Sequence, residues 1–490
     1  MKVLLVSPAT PDTFWSYKHV LPFVAKKAAF PPLGLLTVAA LLPPEWELKV
    51  VDLDVRALAD DDIEWADYVL LSAMMIHEKS VREIAARCAG RNKAVIAGGP
   101  LFTTSPERFP EIPHLVVGEA EELMDQICRD MLAGTLRPLY RCHERPSLAN
   151  TPLPRWDLID FRDYATMSVQ HSRGCPFNCE FCDIVEIYGR VPRLKSTQQM
   201  IGELDALVNA GWRGSVFIVD DNFIGHKRRA KDLLRAIIDW RSRRGVNLSF
   251  TTEASLNLVD DPELIDLLVQ AGVKKVFIGL ETPQESSLAE CAKTQNTGRD
   301  LVADVKTLQA AGIEVLGGFI LGFDSDSGTI FERQLRFIQE SGVVTAMVGL
   351  LTALPQTRLF ARLKQEGRIL SESTGNNVEA VLNFVPKLDR QVLVEGYRNL
   401  VKHLYSPQMY YARALTFLRQ YRPRGPRAPV RWPDVRALLH SIWTMGVWTN
   451  GRREYWKFML RSLLFHPRQF VEAATLAILG HHFRIVAARL

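Results

Sequence analysis

The chain has 490 residues, 47% of them hydrophobic and 23% charged, with a formal net charge of +5. These values fit two or three globular domains and exclude a disordered, collagen-like or low-complexity protein. Of seven cysteines three share one loop, and the other four, Cys88, Cys128, Cys142 and Cys291, are scattered without paired spacing, which suits a reducing cytosol; no run approaches the roughly 20 apolar residues of a spanning helix.

Residues 1–140 alternate apolar runs with helical stretches. Residues 3–6, 48–51, 68–71, 94–97 and 115–117 read as buried strands, and residues 33–42 and 80–88 carry helical spacing. The N-terminus is broken by Pro8 and reads as a first strand, not a signal peptide. Near-continuous apolar strands alternating with helices predict a doubly wound parallel sheet, whose ligands gather at the carboxyl ends of the strands. Candidate ligand positions at those ends are Gly34, Asp52, Gly98, Gly99, Gly118 and Glu119. Glycines there let a large flat ligand approach the backbone. His77, after the third strand, reads as a surface or loop histidine, because a lone histidine is seldom a metal ligand without an oriented partner. Residues 141–165, with Pro146, Pro152 and Pro154, read as an extended linker.

Residues 166–395 repeat a strand–helix unit six times. The predicted strands are 167–171, 215–220, 248–253, 275–281, 314–321 and 346–351, with amphipathic helices 197–209, 228–244, 262–271, 298–311 and 327–341 between them. The first strand leads into a loop bearing Cys175, Cys179 and Cys182. Three closely spaced thiolates ligate three irons of a 4Fe-4S cubane and leave the fourth open. Structural zinc prefers four ligands in paired knuckles. No second knuckle follows, and His171, the one further candidate, ends an apolar strand.

The Cys-x3-Cys-x2-Cys spacing, with Phe181 before the last thiol, resembles the radical S-adenosylmethionine (SAM) superfamily, and the six units resemble its partial (β/α)6 barrel. The resemblance implies that the open iron chelates the amino and carboxylate groups of SAM. One-electron reduction by a low-potential donor, such as flavodoxin or ferredoxin, would then cleave SAM to a 5′-deoxyadenosyl radical. It further implies that Asp220, Asp221 and Asn222 receive the SAM amino group and that Glu253 suits the ribose hydroxyls. The strand ends at Gly279, Glu281 and Gly318 would admit adenine and methionine. The alternative for such carboxylates is helix capping or pairing with arginine. Arg190 and Arg193 are candidates for the SAM carboxylate, for screening the cluster, or for ordinary surface. The N-terminal loops, taken in order, resemble the cobalamin-binding domain carried by many radical SAM proteins. The loop after the first strand lacks Asp-x-His-x-x-Gly, so bound cobalamin would have no histidine lower ligand from it.

The remaining residues, 396–490, read as a mostly helical region. From 405 onward there are 14 Lys and Arg against 3 Asp and Glu, with four of the ten tryptophans, Trp432, Trp443, Trp448 and Trp456. Stretches 453–464 and 469–485 set apolar faces against basic ones. This pattern suits an anionic membrane surface; a helical cap on the barrel is the plainer alternative, and nucleic acid is disfavoured. The whole chain is similar to cobalamin-type radical SAM proteins with an extra C-terminal domain, a group that includes bacterial hopanoid-lipid methyltransferases. The resemblance implies a C-methyltransferase acting on an unactivated carbon but does not establish its substrate; the cysteine usage points to the cytoplasm, and the basic, aromatic tail points to peripheral membrane contact and a small apolar or lipid-like substrate. A C–H bond with no acidic proton must lose hydrogen to a radical. The carbon radical cannot usefully attack the electrophilic methyl of SAM, whereas a cobalt-bound methyl can be given to it. The rivals are a cobalamin-dependent cyclase, oxidase or rearrangement enzyme, and a non-catalytic cobalamin- or redox-responsive binding protein. A methylthiotransferase would need a second three-cysteine site, and the N-terminal region offers only Cys88 and Cys128.

Overall fold

The structure is a computed structural model that describes residues 1–376, 378–424 and 430–490. Its first sheet contains β1 (Lys2–Ser7), β2 (Glu47–Asp52), β3 (Tyr68–Ser72), β4 (Ala94–Gly98), β5 (His114–Val117) and β6 (Leu139–Arg141). All are parallel, in the order β2-β1-β3-β4-β5-β6, so the winding reverses between β1 and β3. Alternate residues of β1 feed opposite cores: Leu4 and Val6 pack on one face of the sheet, Val3 and Leu5 on the other. Burial on both faces explains the near-continuous apolar strands. Strand β6 was not foreseen; it has three residues, of which only Tyr140 is buried, too short and polar to give a pattern.

The second sheet starts with β7 (Thr166–Val169); a small antiparallel ribbon, β8 (Ser172–Arg173) with β9 (Arg193–Leu194), then frames the cysteine loop. Strands β10 (Ser215–Ile218), β11 (Ser249–Glu253), β12 (Val273–Glu281), β13 (Glu314–Leu321) and β14 (Ala346–Leu350) complete it, all parallel and paired in sequence order. Strands β7 and β14 are the two free edges, so this is a partial barrel. Strands β7 and β10 stop two residues before the expected ends. Asp220 turns there to accept hydrogen bonds from the His171 N–H (2.7 Å) and the Ser172 hydroxyl (2.6 Å). The intervening helices are capped as their sequences dictate: Ser196 and Gln199 form a capping box on Thr197–Asn209, and Asp261 and Asp300 cap Pro262–Ala271 and Leu301–Ala311.

The C-terminal helices Arg390–Leu404 and Pro407–Gln420 cover the edge at β14. The Tyr405 and Tyr397 hydroxyls donate to the carbonyls of Ala346 and Val348, and the fully buried Arg413 donates to those of Val344 and Leu404. Side chains thus satisfy a strand edge that would otherwise need water or a further strand. The last helix lies within Pro467–Ala488, a segment long and apolar enough by composition to cross a membrane, contrary to the sequence expectation. Half of it is buried inside the protein, and His482 Nε2 lies 2.9 Å from the Thr13 carbonyl. The connection after β1 runs across to the barrel, where Phe14 packs on Tyr405 and Phe483, and Trp15 on Phe217 and Phe277.

Candidate active site between the facing sheet edges

The carboxyl ends of both sheets open on one cavity of about 880 Å3. One wall carries Ser7, Asp52, His77 and Pro100 from the doubly wound sheet; the other carries Phe181, Glu253, Gly279 and Gly318 from the barrel and its cysteine loop.

The loop is shaped for close approach. Gly174 has φ +100°, and a Cβ there would stand 2.7 Å from the Gly189 carbonyl, which accepts the Cys175 N–H at 3.1 Å. Among the described residues, no three Cys, His, Asp or Glu side chains are grouped tightly enough for a single metal ion. The thiols fit a cubane instead, in which each sulfur takes its own iron. Two amides turn toward sulfur, Asn222 Nδ2 at 3.8 Å from Cys175 Sγ and Gln295 Nε2 at 3.7 Å from Cys179 Sγ, as thiolates prefer. Burial pushes the Cys175 and Cys182 thiols up, so they hold their protons until iron replaces them. Glu180 in the loop is gripped by the Arg362 guanidinium at 2.7 and 3.1 Å, and Arg358 donates to the Asn178 carbonyl.

The barrel side is acidic. Asp220 is fully spent on His171 and Ser172 and does not line the cavity. Asp221 accepts the Gly174 N–H at 2.8 Å; burial, opposed by that bond, together with the charges of Asp220 and Asp183, pushes its carboxyl up to about 7. Glu253 lines the cavity, and burial with the neighbouring Asp221 and Asp220 raises it to about 8. Neither Asp221 nor Glu253 has an ion-pair partner among the described residues. Two buried carboxyls so close together favour a cationic or hydrogen-bond-donating ligand at this end of the barrel. Asn222 hydrogen-bonds Ser255 at 3.1 Å as well as Cys175.

At the end of β12 the register with β13 shifts between Gly279 and Glu281, and Glu281 takes φ +61°. This bulge aims the Glu281 carboxylate at Lys293 Nζ, 2.7 Å away. Burial works against the Lys293 ammonium, but the Glu281 carboxylate outweighs it and holds its pKa above the ordinary lysine range. A Cβ on Gly279 would stand 2.7 Å from that nitrogen, and one on Gly318 would stand 2.9 Å from Phe277 Cζ, so both glycines keep the wall open.

The opposite wall carries Lys18, Asp52, Asp54 and His77 at the cavity. Asp52 accepts the Tyr164 hydroxyl (3.1 Å) and the Asp54 N–H (3.0 Å), and burial lifts its carboxyl to about 6. Of the other positions expected there, none lines the cavity. Gly99 has φ +100°, and its Cβ would meet the Ala73 carbonyl at 2.8 Å; Gly98 abuts Val116; Gly118 abuts Cys142. Gly34, in the first turn of helix Leu33–Ala39, faces open space. Glu119 instead joins the two regions, held by Arg193 at 2.6 and 3.0 Å and by Arg173, which also pairs with Glu121 at 2.7 Å. Arg193 is thereby committed to Glu119, and Arg190 is exposed, donating to the Pro176 carbonyl. His77 is buried at the cavity, not a surface residue: Nδ1 accepts the Met74 N–H and Nε2 lies 3.4 Å from the Thr10 hydroxyl. Cys88 and Cys128 lie in the cores on opposite faces of the first sheet, which separates them from any shared cluster. Lys293 and Trp15 were not anticipated; a lone lysine in a loop and a tryptophan before the first helix carry no motif.

Two walls of this kind define a radical SAM protein with a cobalamin-type domain facing its cluster. Family comparisons agree: the B12 binding domain matches residues 25–127, the Radical SAM superfamily residues 169–338, and a domain of unknown function, DUF4070, residues 357–490. An uncharacterised methyltransferase of Synechocystis sp. is 39% identical over 99% of this chain and 91% of its own. The hopanoid C-2 methylase of Rhodopseudomonas palustris is 34% identical over 100% of this chain and 94% of its own. The chain belongs to the cobalamin-dependent radical SAM methyltransferases. Its fold is shared with TsrM, a radical SAM methyltransferase from Kitasatospora setae solved with cobalamin and a 4Fe-4S cluster (TM-score 0.64, 16% identity, 97% of this chain and 99% of that one). It is shared also with OxsB, a cobalamin-dependent SAM radical enzyme solved with aqua-cobalamin and S-adenosylmethionine bound (TM-score 0.62, 16% identity, 100% and 80%).

Proposed function

We propose that the enzyme methylates an unactivated carbon of a polycyclic, hopanoid-like lipid. The observation that carries this is the single cavity onto which the cysteine loop and the doubly wound sheet both open. When bound, the cluster with SAM supplies hydrogen abstraction and cobalamin supplies a methyl that a carbon radical can accept. Cys175, Cys179 and Cys182 hold the cluster. Asp221 and Asn222 orient the SAM amino end, Glu253 meets its ribose, and Gly279 and Gly318 leave room for the nucleoside. Asp52 and the strand ends after β1, β3 and β4 take cobalamin. Phe217, Phe277 and Trp15 keep water from the reacting centre. The apolar lining and the kinship with a hopanoid methylase favour a lipid skeleton. A low-potential flavodoxin or ferredoxin in the cytoplasm delivers the electron, and the C-terminal region touches the membrane surface where such a substrate resides.

The test uses protein reconstituted without oxygen, a squalene-derived polycyclic lipid, a reductant and SAM carrying a labelled methyl. The expected product is heavier by one labelled methyl group, with 5′-deoxyadenosine formed alongside. Formation of 5′-deoxyadenosine with an unlabelled, cyclised or oxidised product would overturn methyl transfer. A Cys175→Ala, Cys179→Ala, Cys182→Ala triple variant should lose cluster absorbance and SAM cleavage together.

A further inference from the structure

Twelve of the twenty-two exposed large apolar side chains among the described residues lie between 430 and 471. Helix Arg452–Phe465 is apolar on two faces. Tyr455, Phe458 and Met459 point into the core, while Trp456, Leu460, Leu463 and Leu464 form a stripe facing solvent, Leu464 being 72% exposed. Arg453, Lys457 and Arg461, at successive i, i+4 spacings, form an exposed basic stripe along its flank. The preceding helical segment, Trp432–Ser441 continuing through Ile442–Trp448, adds Trp443 and Trp448, 60% and 70% exposed and edge-to-face at 6.0 Å. The Trp456 indole N–H is already satisfied by the Gly446 carbonyl at 3.0 Å, so its ring can leave water at little cost.

We infer that this face docks the enzyme on an anionic lipid bilayer, with the tryptophans and leucines in the headgroup–acyl boundary and the basic stripe among the phosphates. Long aliphatic side chains beside arginine and lysine suit acyl chains and anionic headgroups together. A nucleic acid would use the bases and aromatics but gains nothing from Leu460, Leu463 and Leu464. A second copy would oppose like charge to like, since residues 430–471 hold seven Lys and Arg against Asp434 and Glu454. The face adjoins the cavity. Helix Trp432–Ser441 packs on the turn Leu21–Val24, Phe23 stacks on His440 at 4.4 Å, and Leu21 lines the cavity. Docking rests on the face itself; delivery of a membrane lipid to the cavity rests on the function proposed above.

The experiment is flotation of the full-length purified protein with vesicles of phosphatidylcholine alone or with one-third phosphatidylglycerol, alongside sedimentation velocity without lipid and a gel shift with single-stranded RNA. The protein is expected to float with the anionic vesicles, with a blue-shifted tryptophan emission. Arg453→Ala with Lys457→Ala and Arg461→Ala should weaken partitioning by about a hundredfold, taking three lost basic contacts. Trp443→Ser with Trp448→Ser should weaken it by about tenfold or more from lost apolar burial. Both variants should keep the parent's circular dichroism and cobalamin content, because none of these residues touches the cavity. Failure of the parent to float with anionic vesicles overturns the proposal, as does a self-association or RNA shift that both variants abolish in place of flotation. Flotation without methylation of any lipid would leave docking intact and count against the substrate reading alone.

Discussion

The two walls of the cavity are built in different ways. The barrel wall recognises charge with side chains: raised carboxylates at Asp221 and Glu253, a buried lysine at Lys293 and amides turned toward sulfur. The doubly wound wall meets the cavity through loops and strand ends, and among the described residues its carboxylates there are Asp52, at the end of β2, and Asp54 just beyond it. SAM is small and cationic at its reacting end, so a few point charges define it. Cobalamin is broad, and under the proposed function it would lie against the strand ends of the doubly wound sheet.

If that contrast is real, the largest cost should come from unbalancing charge on the barrel wall. Lys293→Met leaves Glu281 buried, at a strained backbone angle and without its cation. We expect a loss of about 3–5 kcal/mol in urea unfolding, the usual result of stranding one partner of a buried pair. Pairing it with Glu281→Gln should restore most of that. Equal loss in the double variant would mean that Lys293 acts through packing and not through charge.

Asp52 is the point where the doubly wound wall should behave like the barrel wall. Its carboxyl titrates at about 6, against 3.8 in the unfolded chain. Folding therefore favours the protonated acid, and this contribution to stability is complete below about pH 4 and is lost as pH rises through about 6. Asp52→Asn, whose one amide oxygen accepts from either the Tyr164 hydroxyl or the Asp54 N–H but not from both, should be more stable than the parent at pH 7.5 in cofactor-free protein by less than about 3 kcal/mol. The gap should close toward pH 4. A gap independent of pH would remove the buried charge as its cause.

The contrast also accounts for what could be read in the sequence. The cysteine loop, both parallel sheets and the acidic strand ends were legible, because thiol spacing, two-faced apolar strands and carboxylates are local signals. The Glu281–Lys293 pair was half legible: the strand-end carboxylate was visible, but its partner lies twelve residues on and depends on a bulge. Glu119 was assigned to a ligand because it closes a strand, whereas Arg173 and Arg193, distant in sequence, claim it. Gly99 and Gly118 in the first sheet pack against carbonyls of their own chain, those of Ala73 and Cys142. A glycine needed for a flat ligand and one needed for a neighbouring carbonyl look identical until the chain is folded.

Those glycines therefore separate scaffold from ligand contact. At Gly99, a side chain would face both a φ of +100° and the Ala73 carbonyl at 2.8 Å. Gly99→Ala should cost about 1–3 kcal/mol whether or not cobalamin is present, because the strain is internal. Gly34 is the converse. It sits in the first turn of a helix, outside the lining of the cavity, and a methyl group placed on it would meet nothing within 4 Å. Gly34→Ala should stabilise the cofactor-free protein by about 0.5 kcal/mol through reduced freedom of the unfolded chain. Titration with hydroxocobalamin should give an unchanged affinity. A tenfold weaker affinity with the stability gain intact would place the corrin edge over this helix, and the cobalamin wall would then extend beyond the cavity to the helix that follows β1.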